Sequence, residues 1–312
     1  MAGGPRGVAS FLSLQIGADM AITFEDQVAI VTGGGRGLGR GYALALAERG
    51  AHVAVVDLGD DAETTAADIR AGGGSARAFR LDVCDAEAVE AMVGELVGER
   101  GRVDIAINNA GIVRDRTFAK MELADFRAVM DVHLMGSVHL SRAVWPVMRE
   151  RQYGRIVFTT SSSGMYGIFG QANYAAAKAS MVGLMNVLHL EGERHGIRVN
   201  CIMPSAATKM TEGLLSADAE RLLVPEAVAP GVVYLVSEAA PSRVILSAGA
   251  GAFARVVIAE TEGVLLTGDD LTPEAVAEHF GEISDRRGEV VLQSGFEQAE
   301  KLTAFALSAD RA

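Results

Sequence analysis

A tyrosine and a lysine in the segment NYAAAKAS, residues 173–180, have the spacing of a reactive pair. Tyr174 and Lys178 are four positions apart, so on a helix their side chains lie on one face. A phenol ordinarily ionises near pH ~10, and a neighbouring ammonium favours the phenolate. The pair would then exchange a proton near neutral pH. Taken alone, the segment fits an alanine-rich helix with a solvated pair better, so other motifs must decide.

A glycine-rich segment, TGGGRGLG at 32–39, follows the first apolar run of the chain. Val28–Thr32 predicts a buried strand, Leu38–Arg49 a helix and Val53–Val56 a second strand. Glycines let a backbone approach a pyrophosphate, and a helix N-terminus offers free N–H groups. We therefore predict a dinucleotide at this turn, held by Gly33, Arg36, Gly37, Leu38 and Gly39.

The residues after the second strand bear on which dinucleotide binds. Asp57 would accept hydrogen bonds from the ribose hydroxyls of the adenosine and repel a 2′-phosphate, which favours NAD. Arg36 is the contrary signal, because a guanidinium can hold a phosphate. An unpaired carboxylate against a phosphate dianion is the more costly mismatch, so we predict NAD, with NADP as the alternative. Asp82 and Val83 are expected to border the adenine or to form an ordinary turn.

Strand and helix patterns alternate along most of the chain. Further strands are predicted at Val103–Ile107, Ile156–Thr160 and Ile197–Ile202, and helices near 86–99, 122–149 and 172–194. Continuous apolar strands indicate a sheet covered on both faces by helices. The predicted fold is α/β, a single Rossmann-like doubly wound parallel sheet with helices on both faces.

Three regions are predicted along the chain. Residues 1–20 are expected to be a flexible N-terminal extension, 21–261 the α/β domain and 262–312 a C-terminal helical tail. The tail contains two helical patterns, Leu271–Ser284 and Phe296–Leu307. The first of these begins with Thr272 as cap and Pro273 in the first turn.

Composition excludes several classes of function. The net charge of −12 argues against a nucleic-acid partner, because phosphate binding needs a basic surface. No uninterrupted apolar run reaches the ~18 residues that a membrane span needs. Cys84 and Cys201 have neither metal-ligand spacing nor a disulfide framework around them. We therefore predict no metal site and a reducing cytoplasmic location.

Four motifs together resemble the short-chain dehydrogenase/reductase family: the glycine segment, NNAG at 108–111, Ser161, and YxxxK at 174–178. The resemblance implies that Tyr174 is the general acid/base, that Lys178 lowers its pKa and holds the nicotinamide ribose, and that Ser161 orients the reacting oxygen. It also places three residues of NNAG near the cofactor, Asn108, Ala110 and Gly111, with Asn108 supporting the cofactor loop.

The segments NNAGIVRDRTFAKM, VHLMGS and VNCIMPSAATKMT narrow the resemblance to the (3R)-hydroxyacyl-CoA dehydrogenase branch, found in peroxisomal multifunctional enzymes and stand-alone bacterial relatives. This branch implies conversion of (3R)-3-hydroxyacyl-CoA to 3-oxoacyl-CoA in fatty-acyl or sterol side-chain degradation. An NADPH-dependent 3-oxoacyl-carrier-protein reductase, a hydroxysteroid dehydrogenase and a non-catalytic dinucleotide-binding regulator are the alternatives. An apolar rim is expected from Met165, Tyr166, Phe169 and Met210. Three nearby cations would either meet the phosphates of coenzyme A or simply be solvated: Arg114, Arg116 and Lys120.

Two departures from the family pattern bear on the site. His133 occupies the position of an asparagine that completes a proton relay in most members, so it either carries the relay or is a core histidine in a kinked helix. Pro204 is followed by Ser205 rather than glycine. Thr208 and Thr211 are both candidates to bond the nicotinamide amide, and Thr208 is preferred.

Family habit implies a homodimer or homotetramer. In relatives, helices corresponding to Phe118–Met148 and Ala172–His189 pair between subunits. Trp145, Met148 and Met181 have helical spacings that suit such an interface, and ordinary core burial explains them equally well.

Overall fold

One eight-stranded sheet organises the chain in the computed structural model, which describes residues 21–207 and 216–309. The strand order is β3-β2-β1-β4-β5-β6-β7-β8, and all neighbouring pairs up to β7 are parallel. The strands are β1 Val28–Thr32, β2 His52–Asp57, β3 Ser75–Arg80, β4 Ile105–Asn108, β5 Gly154–Thr159, β6 Ile197–Pro204, β7 Ile245–Gly249 and β8 Ala252–Val256. The predicted α/β fold is confirmed.

The last strand departs from the predicted parallel sheet. β8 pairs with β7 in the antiparallel direction. The two strands are joined by Ala250 and Gly251, which have φ of 50° and 77°. Two consecutive positive φ angles are typical of a tight hairpin turn that matches the twist of the strands. The sheet therefore ends in a hairpin.

Helices cover both faces of the sheet. They are α1 Gly37–Ala47, α2 Asp61–Ala71, α3 Ala86–Arg100, α4 Leu123–Met130, α5 Gly136–Arg151, α6 Ser162–Tyr166, α7 Ala172–Gly192, α8 Ala217–Leu222, α9 Ala229–Leu235, α10 Pro273–Glu278, α11 Phe280–Ile283 and α12 Gly295–Ala309. Residues of α1, α2 and α9 form one core, and residues of α3, α5 and α7 form a second core. Ala29 and Val31 of β1 face the first core, while Val28 and Ile30 face the second, as the alternation along a strand requires.

The three residues considered for a subunit interface belong to the second core. Met148 and Met181 are fully buried, and Trp145 packs against the same cluster. Core packing therefore explains these residues, and they give no support to an interface.

The topology brings the candidate site residues to one edge of the sheet. The strand order reverses between β1 and β4, and ligands of open α/β sheets bind outside the carboxyl ends of the strands at such a point. The candidate residues occur at or just after strand ends: Gly33, Asp57, Asn108, Ser161 and Pro204.

The tail contains helices in both predicted segments, although the first segment, Leu271–Ser284, is divided at His279 into α10 and α11. Thr272 Oγ1 accepts a hydrogen bond from Ala275 N at 3.2 Å, and Pro273 occupies the first turn of α10. The predicted helix at Phe296–Leu307 lies within α12. Lys301 of α12 donates to Glu260 Oε1 at 2.8 Å, so the tail is bonded back to the segment that follows β8. The domain boundary at 261/262 stays a prediction, and residues 1–20 lie outside the described ranges.

In the two described ranges, no helix is long and apolar enough to cross a membrane. Cys84 and Cys201 are both free thiols. Residues 21–207 and 216–309 contain no cluster of histidine, cysteine and carboxylate side chains that would hold a metal ion.

Candidate active site

The glycine turn after β1 leaves no room for side chains. Gly33 has a φ of 62°, and a Cβ on it would lie 2.9 Å from Ala110 Cα. A Cβ on Gly39 would lie 2.1 Å from the carbonyl oxygen of Gly33. The helix α1 begins directly after this turn, at Gly37. The residues thus fit a dinucleotide, because bare backbone and a helix N-terminus can approach its pyrophosphate.

Asn109, not Asn108, supports the glycine turn. Asn109 Nδ2 donates to the carbonyl oxygens of Thr32 and Gly33, at 3.0 and 3.2 Å. The Thr32 hydroxyl accepts from Asn109 N and Ala110 N. Asn108 is buried and points its amide at Ser141 of α5, at 3.4 Å. The role predicted for Asn108 therefore belongs to its neighbour, because successive residues leaving a strand point to opposite sides.

Asp57 lies against the glycine turn. Its Oδ2 accepts from Gly35 N at 3.0 Å, and its Oδ1 lies 3.4 Å from Gly59 N. A carboxylate at this position can still accept hydrogen bonds from ribose hydroxyls, since each oxygen has two lone pairs. Arg36 is exposed, and its Nε lies 3.5 Å from Asp61 Oδ2 at the start of α2. Leu38 is partly buried against the first core.

The predicted adenine-bordering residues form a turn. Asp82 is exposed and accepts from Cys84 N at 2.9 Å. Val83 is buried, and a Cβ on Gly136 would lie 2.7 Å from its Cγ2. A cavity of about 550 Å³ beside this turn is lined by Asp82, Cys84, Ala128, Asp131, Val132, Met135 and His139, and not by Tyr174. Contact with adenine stays a prediction for Asp82 and Val83.

Ser161, Tyr174 and Lys178 come together beyond the end of β5. The side chain of Ser161 lies beside the phenol of Tyr174 and, as its hydrogen-bond partner, lowers its pKa. Lys178 Nζ lies 5.6 Å from the centroid of the Tyr174 ring and donates to Thr159 O at 2.7 Å. The predicted trio therefore forms one cluster, with Tyr174 and Lys178 on α7 and Ser161 capping α6.

Three neighbouring residues outside the predicted set hold α6 and α7 in place around this cluster. The hydroxyl of Thr160 donates to Lys178 O at 2.7 Å. A Cβ on Gly164 would lie 2.7 Å from Ala179 N, so α6 packs directly against α7. Asn173 is fully buried, and its Oδ1 accepts from Tyr174 N at 2.7 Å. The asparagine directly before Tyr174 is a sequence feature that could have indicated this contact, because a buried amide needs a hydrogen-bond partner.

Burial dominates the electrostatics of the cluster. It raises the pKa of Tyr174 above its usual value, which the hydrogen bond from Ser161 partly opposes and Asp115 reinforces. Burial also lowers the pKa of Lys178 to about 7. The lowering of the Tyr174 pKa by Lys178 stays a prediction. A lysine that loses its proton near pH ~7 is a weak source of positive charge above that pH, and desolvation of the phenolate prevails.

His133 is buried in a π-helical segment, Asp131–Met135, between α4 and α5. Its Nε2 lies 2.8 Å from Ile112 O and 3.0 Å from Ile112 N, and the shorter contact favours Nε2–H as donor. Its Nδ1 has no partner among the described residues. Burial, followed by the charge of Lys178, lowers the pKa of His133 to about 3, so the ring is neutral.

The imidazole of His133 contacts both Tyr174 and the NNAG segment. The two rings meet edge to face, with centroids 5.2 Å apart. A Cβ on Gly111 would lie 2.2 Å from His133 Cε1, so Gly111 gives the ring its space. The structure combines features of both interpretations of His133. The helix is distorted there, yet only one ring nitrogen has a partner among the described residues, and the ring packs against Tyr174.

Pro204, the last residue of β6, is half-buried. Thr208, Met210 and Thr211 lie outside the described residues, so the predicted contact of Thr208 with the nicotinamide stays a prediction.

An exposed aromatic rim follows the cluster. Phe169 is 91% exposed, and Tyr166 and Phe118 are also largely exposed. Arg116 N donates to Gly170 O at 2.9 Å, which joins the segment after NNAG to the segment after α6. Met165 instead packs against the second core, which corrects its predicted place in the rim.

The three predicted phosphate-binding cations are exposed beside this rim: Arg114, Arg116 and Lys120. Arg114 Nε lies 3.8 Å from Asp125 Oδ1, a long and exposed ion pair. Their contact with a ligand stays a prediction, because solvated surface cations are common.

Known proteins resemble the chain over most of its length. A family model described as short chain dehydrogenase matches residues 27–219. The mouse protein named peroxisomal multifunctional enzyme type 2 is 42% identical over 277 residues, which is 85% of this chain and 37% of that protein. A putative short-chain type dehydrogenase/reductase of Mycobacterium tuberculosis is also 42% identical over 277 residues, which is 85% of this chain and 96% of the relative.

A solved structure supports the same assignment. It is a 7α-hydroxysteroid dehydrogenase complexed with NADH and 7-oxo glycochenodeoxycholic acid, with a TM-score of 0.68 and 30% identity over 73% of this chain and 95% of that one. The matched motifs, the sheet order and the Ser–Tyr–Lys cluster agree with these likenesses. The chain therefore belongs to the short-chain dehydrogenase/reductase family and is an oxidoreductase.

Proposed function

We propose that this protein oxidises (3R)-3-hydroxyacyl-CoA to 3-oxoacyl-CoA with NAD as hydride acceptor. The observation that carries the proposal is the cluster of Ser161, Tyr174 and Lys178 at the same sheet edge as Asp57 and the glycine turn. This arrangement supports one continuous cofactor track, with proton-transfer groups at one end and a carboxylate suited to a ribose at the other.

Tyr174, as the phenolate, is the group that removes the proton of the substrate hydroxyl in this proposal, and the positive charges of protonated Lys178 and of an oxidised nicotinamide would offset the burial that raises its pKa. Ser161 holds the reacting oxygen, since its hydroxyl can donate or accept while it bonds the phenol. The glycine turn and Asp57 would hold NAD, and its nicotinamide would supply the acceptor for the hydride of the same carbon. The substrate carbon loses its hydrogen with the C–H electron pair, and the substrate oxygen loses its proton to Tyr174. A carbonyl group remains.

Lys178 and His133 are suited to pass that proton on. The pKa of Lys178 near 7 allows it to gain or lose a proton at neutral pH. The neutral imidazole of His133 presents an unpartnered Nδ1 beside the Tyr174 ring. We assign both residues to the path between the phenol and solvent.

The substrate class rests on the relatives and on the rim. The mouse relative is named a peroxisomal multifunctional enzyme, and this chain spans 37% of its length. The exposed aromatic residues Phe118, Tyr166 and Phe169 offer apolar surface to a long acyl or sterol-like chain. The exposed cations after NNAG support a ligand that carries phosphates.

The decisive experiment is a substrate panel on the purified full chain. (3R)- and (3S)-hydroxyacyl-CoA of several chain lengths are assayed with NAD, beside free steroid alcohols with NAD and carrier-protein 3-oxoacyl esters with NADPH. We expect activity confined to the (3R) thioesters. A preference for steroid alcohols, or for carrier-bound ketones with NADPH, would overturn the proposal.

A further inference from the structure

Two arginines flank Asp57, and each is paired with an aspartate at the start of α2. Arg36 Nε lies 3.5 Å from Asp61 Oδ2. Arg80, which stands opposite Asp57 in the β2–β3 register, places its Nη1 2.8 Å from Asp60 Oδ1. Arg36 lies in the glycine turn that Asp57 contacts, and Arg80 is the strand partner of Asp57. Both guanidinium groups therefore already have an aspartate as partner.

Close packing fixes the position of Asp61. A Cβ on Gly35 would lie 2.6 Å from Asp61 Cβ, so the start of α2 lies directly on the glycine turn. Thr65, one turn further along α2, is fully buried and donates its hydroxyl to Gly35 O at 2.9 Å. These contacts hold the Cβ of Asp61 against the glycine turn, and its carboxylate reaches the Arg36 guanidinium from there.

We infer that Asp61 is a second determinant of cofactor choice, acting by keeping the Arg36 guanidinium from a 2′-phosphate. The inference rests on the proposed preference for NAD. A free arginine in the glycine turn would offer charge-assisted hydrogen bonds to a phosphate dianion, and would offset the repulsion from Asp57. Asp61 pairs with that guanidinium, and this pairing disfavours NADP.

The test measures dissociation constants of NADH and NADPH by fluorescence titration, without substrate and at low ionic strength. Asp61→Asn should tighten NADPH binding about three- to fivefold and leave NADH within about twofold, as expected for release of one exposed ion pair. Asp61→Ser should give the same shift and guards against an effect of the asparagine itself. Glu63→Gln is the matched control, since it removes one charge from the same helix but frees Arg70 rather than Arg36.

A double variant isolates the role of Arg36. Arg36→Gln in the Asp61→Asn background should return NADPH affinity to the value of Arg36→Gln alone. If the gain persists without Arg36, or if Glu63→Gln gives an equal gain, the inference is overturned while the proposed function stands. If the unmodified protein binds NADPH more tightly than NADH, the proposed NAD preference itself fails.

Discussion

At the scale of single residues, the phenol of Tyr174 is the group on which the proposed chemistry depends. Tyr174→Phe removes the titratable proton and keeps the ring that packs against His133. We expect turnover to be abolished and NADH affinity to change by no more than about twofold, because phenylalanine retains the shape of the site. Steady-state rates and fluorescence titration measure the two effects. Retention of more than about a tenth of the activity would contradict the assigned role.

The buried ammonium of Lys178 makes stability depend on pH. Its pKa is about 7 in the folded chain and about 10.5 when unfolded, so between these values the unfolded state binds more protons. The free energy of unfolding should therefore rise with pH over this window. Lys178→Met removes the titration, and its stability advantage over the unmodified chain should shrink by about 1 kcal/mol or more from pH ~6 to pH ~10. Denaturant unfolding without cofactor measures this, and a constant difference would refute it.

Substitutions of His133 distinguish a role in the proton relay from a role in core packing. His133→Ala should lower turnover about 10- to 100-fold, because water can bypass one member of a relay at a cost. His133→Asn places the residue usual in the family at this position and should recover part of the loss. Thermal unfolding of both variants reports on packing. Loss of stability with unchanged turnover would assign His133 to the core alone.

At the scale of elements, the π-helical segment Asp131–Met135 sets the position of His133. A π-helical turn inserts one extra residue into a helix and is frequent at functional sites. The sequence predicts one continuous helix over 122–149, and the apolar spacing gives no sign of the extra residue. The hydroxyl of Ser137 donates to His133 O at 2.6 Å, a local bond that only the folded segment reveals.

The contact between Gly111 and His133 gives a test of this geometry. Gly111→Ala would place its Cβ within 2.2 Å of His133 Cε1, so the ring must move. We expect a loss of stability of about 1–3 kcal/mol, together with reduced turnover. In the His133→Ala background the same change should be nearly neutral for stability, which a double-mutant cycle measures. Equal losses in both backgrounds would show that the ring is not the obstacle.

At the scale of the whole molecule, the features predicted from sequence are those that local patterns encode. Continuous apolar runs predict β1, β2, β4, β5 and β6, whereas β3 has two arginines and no such run. The glycine turn and the YxxxK spacing predict the site. The antiparallel direction of β8 does not follow from an apolar run, because it depends on the two-residue turn at Ala250 and Gly251. Local sequence does not tell which of Asn108 and Asn109 supports the glycine turn, because this depends on tertiary contacts. The raised pKa of Tyr174 likewise results from tertiary burial.

The subunit surface is the last expectation, and the exposed side of α7 is where it can be tested. Val187 and Leu190 are about half exposed there, one helical turn apart, whereas Met181 on the same helix is buried. We expect a homodimer or homotetramer by sedimentation at micromolar concentration. Val187→Glu with Leu190→Glu should dissociate it, because burying two carboxylates at an interface is costly. Val276→Glu, a similarly exposed position on α10, is the control and should leave the assembly intact. A monomeric unmodified chain would refute the expectation, and an intact assembly with both glutamates present would exclude this face of α7.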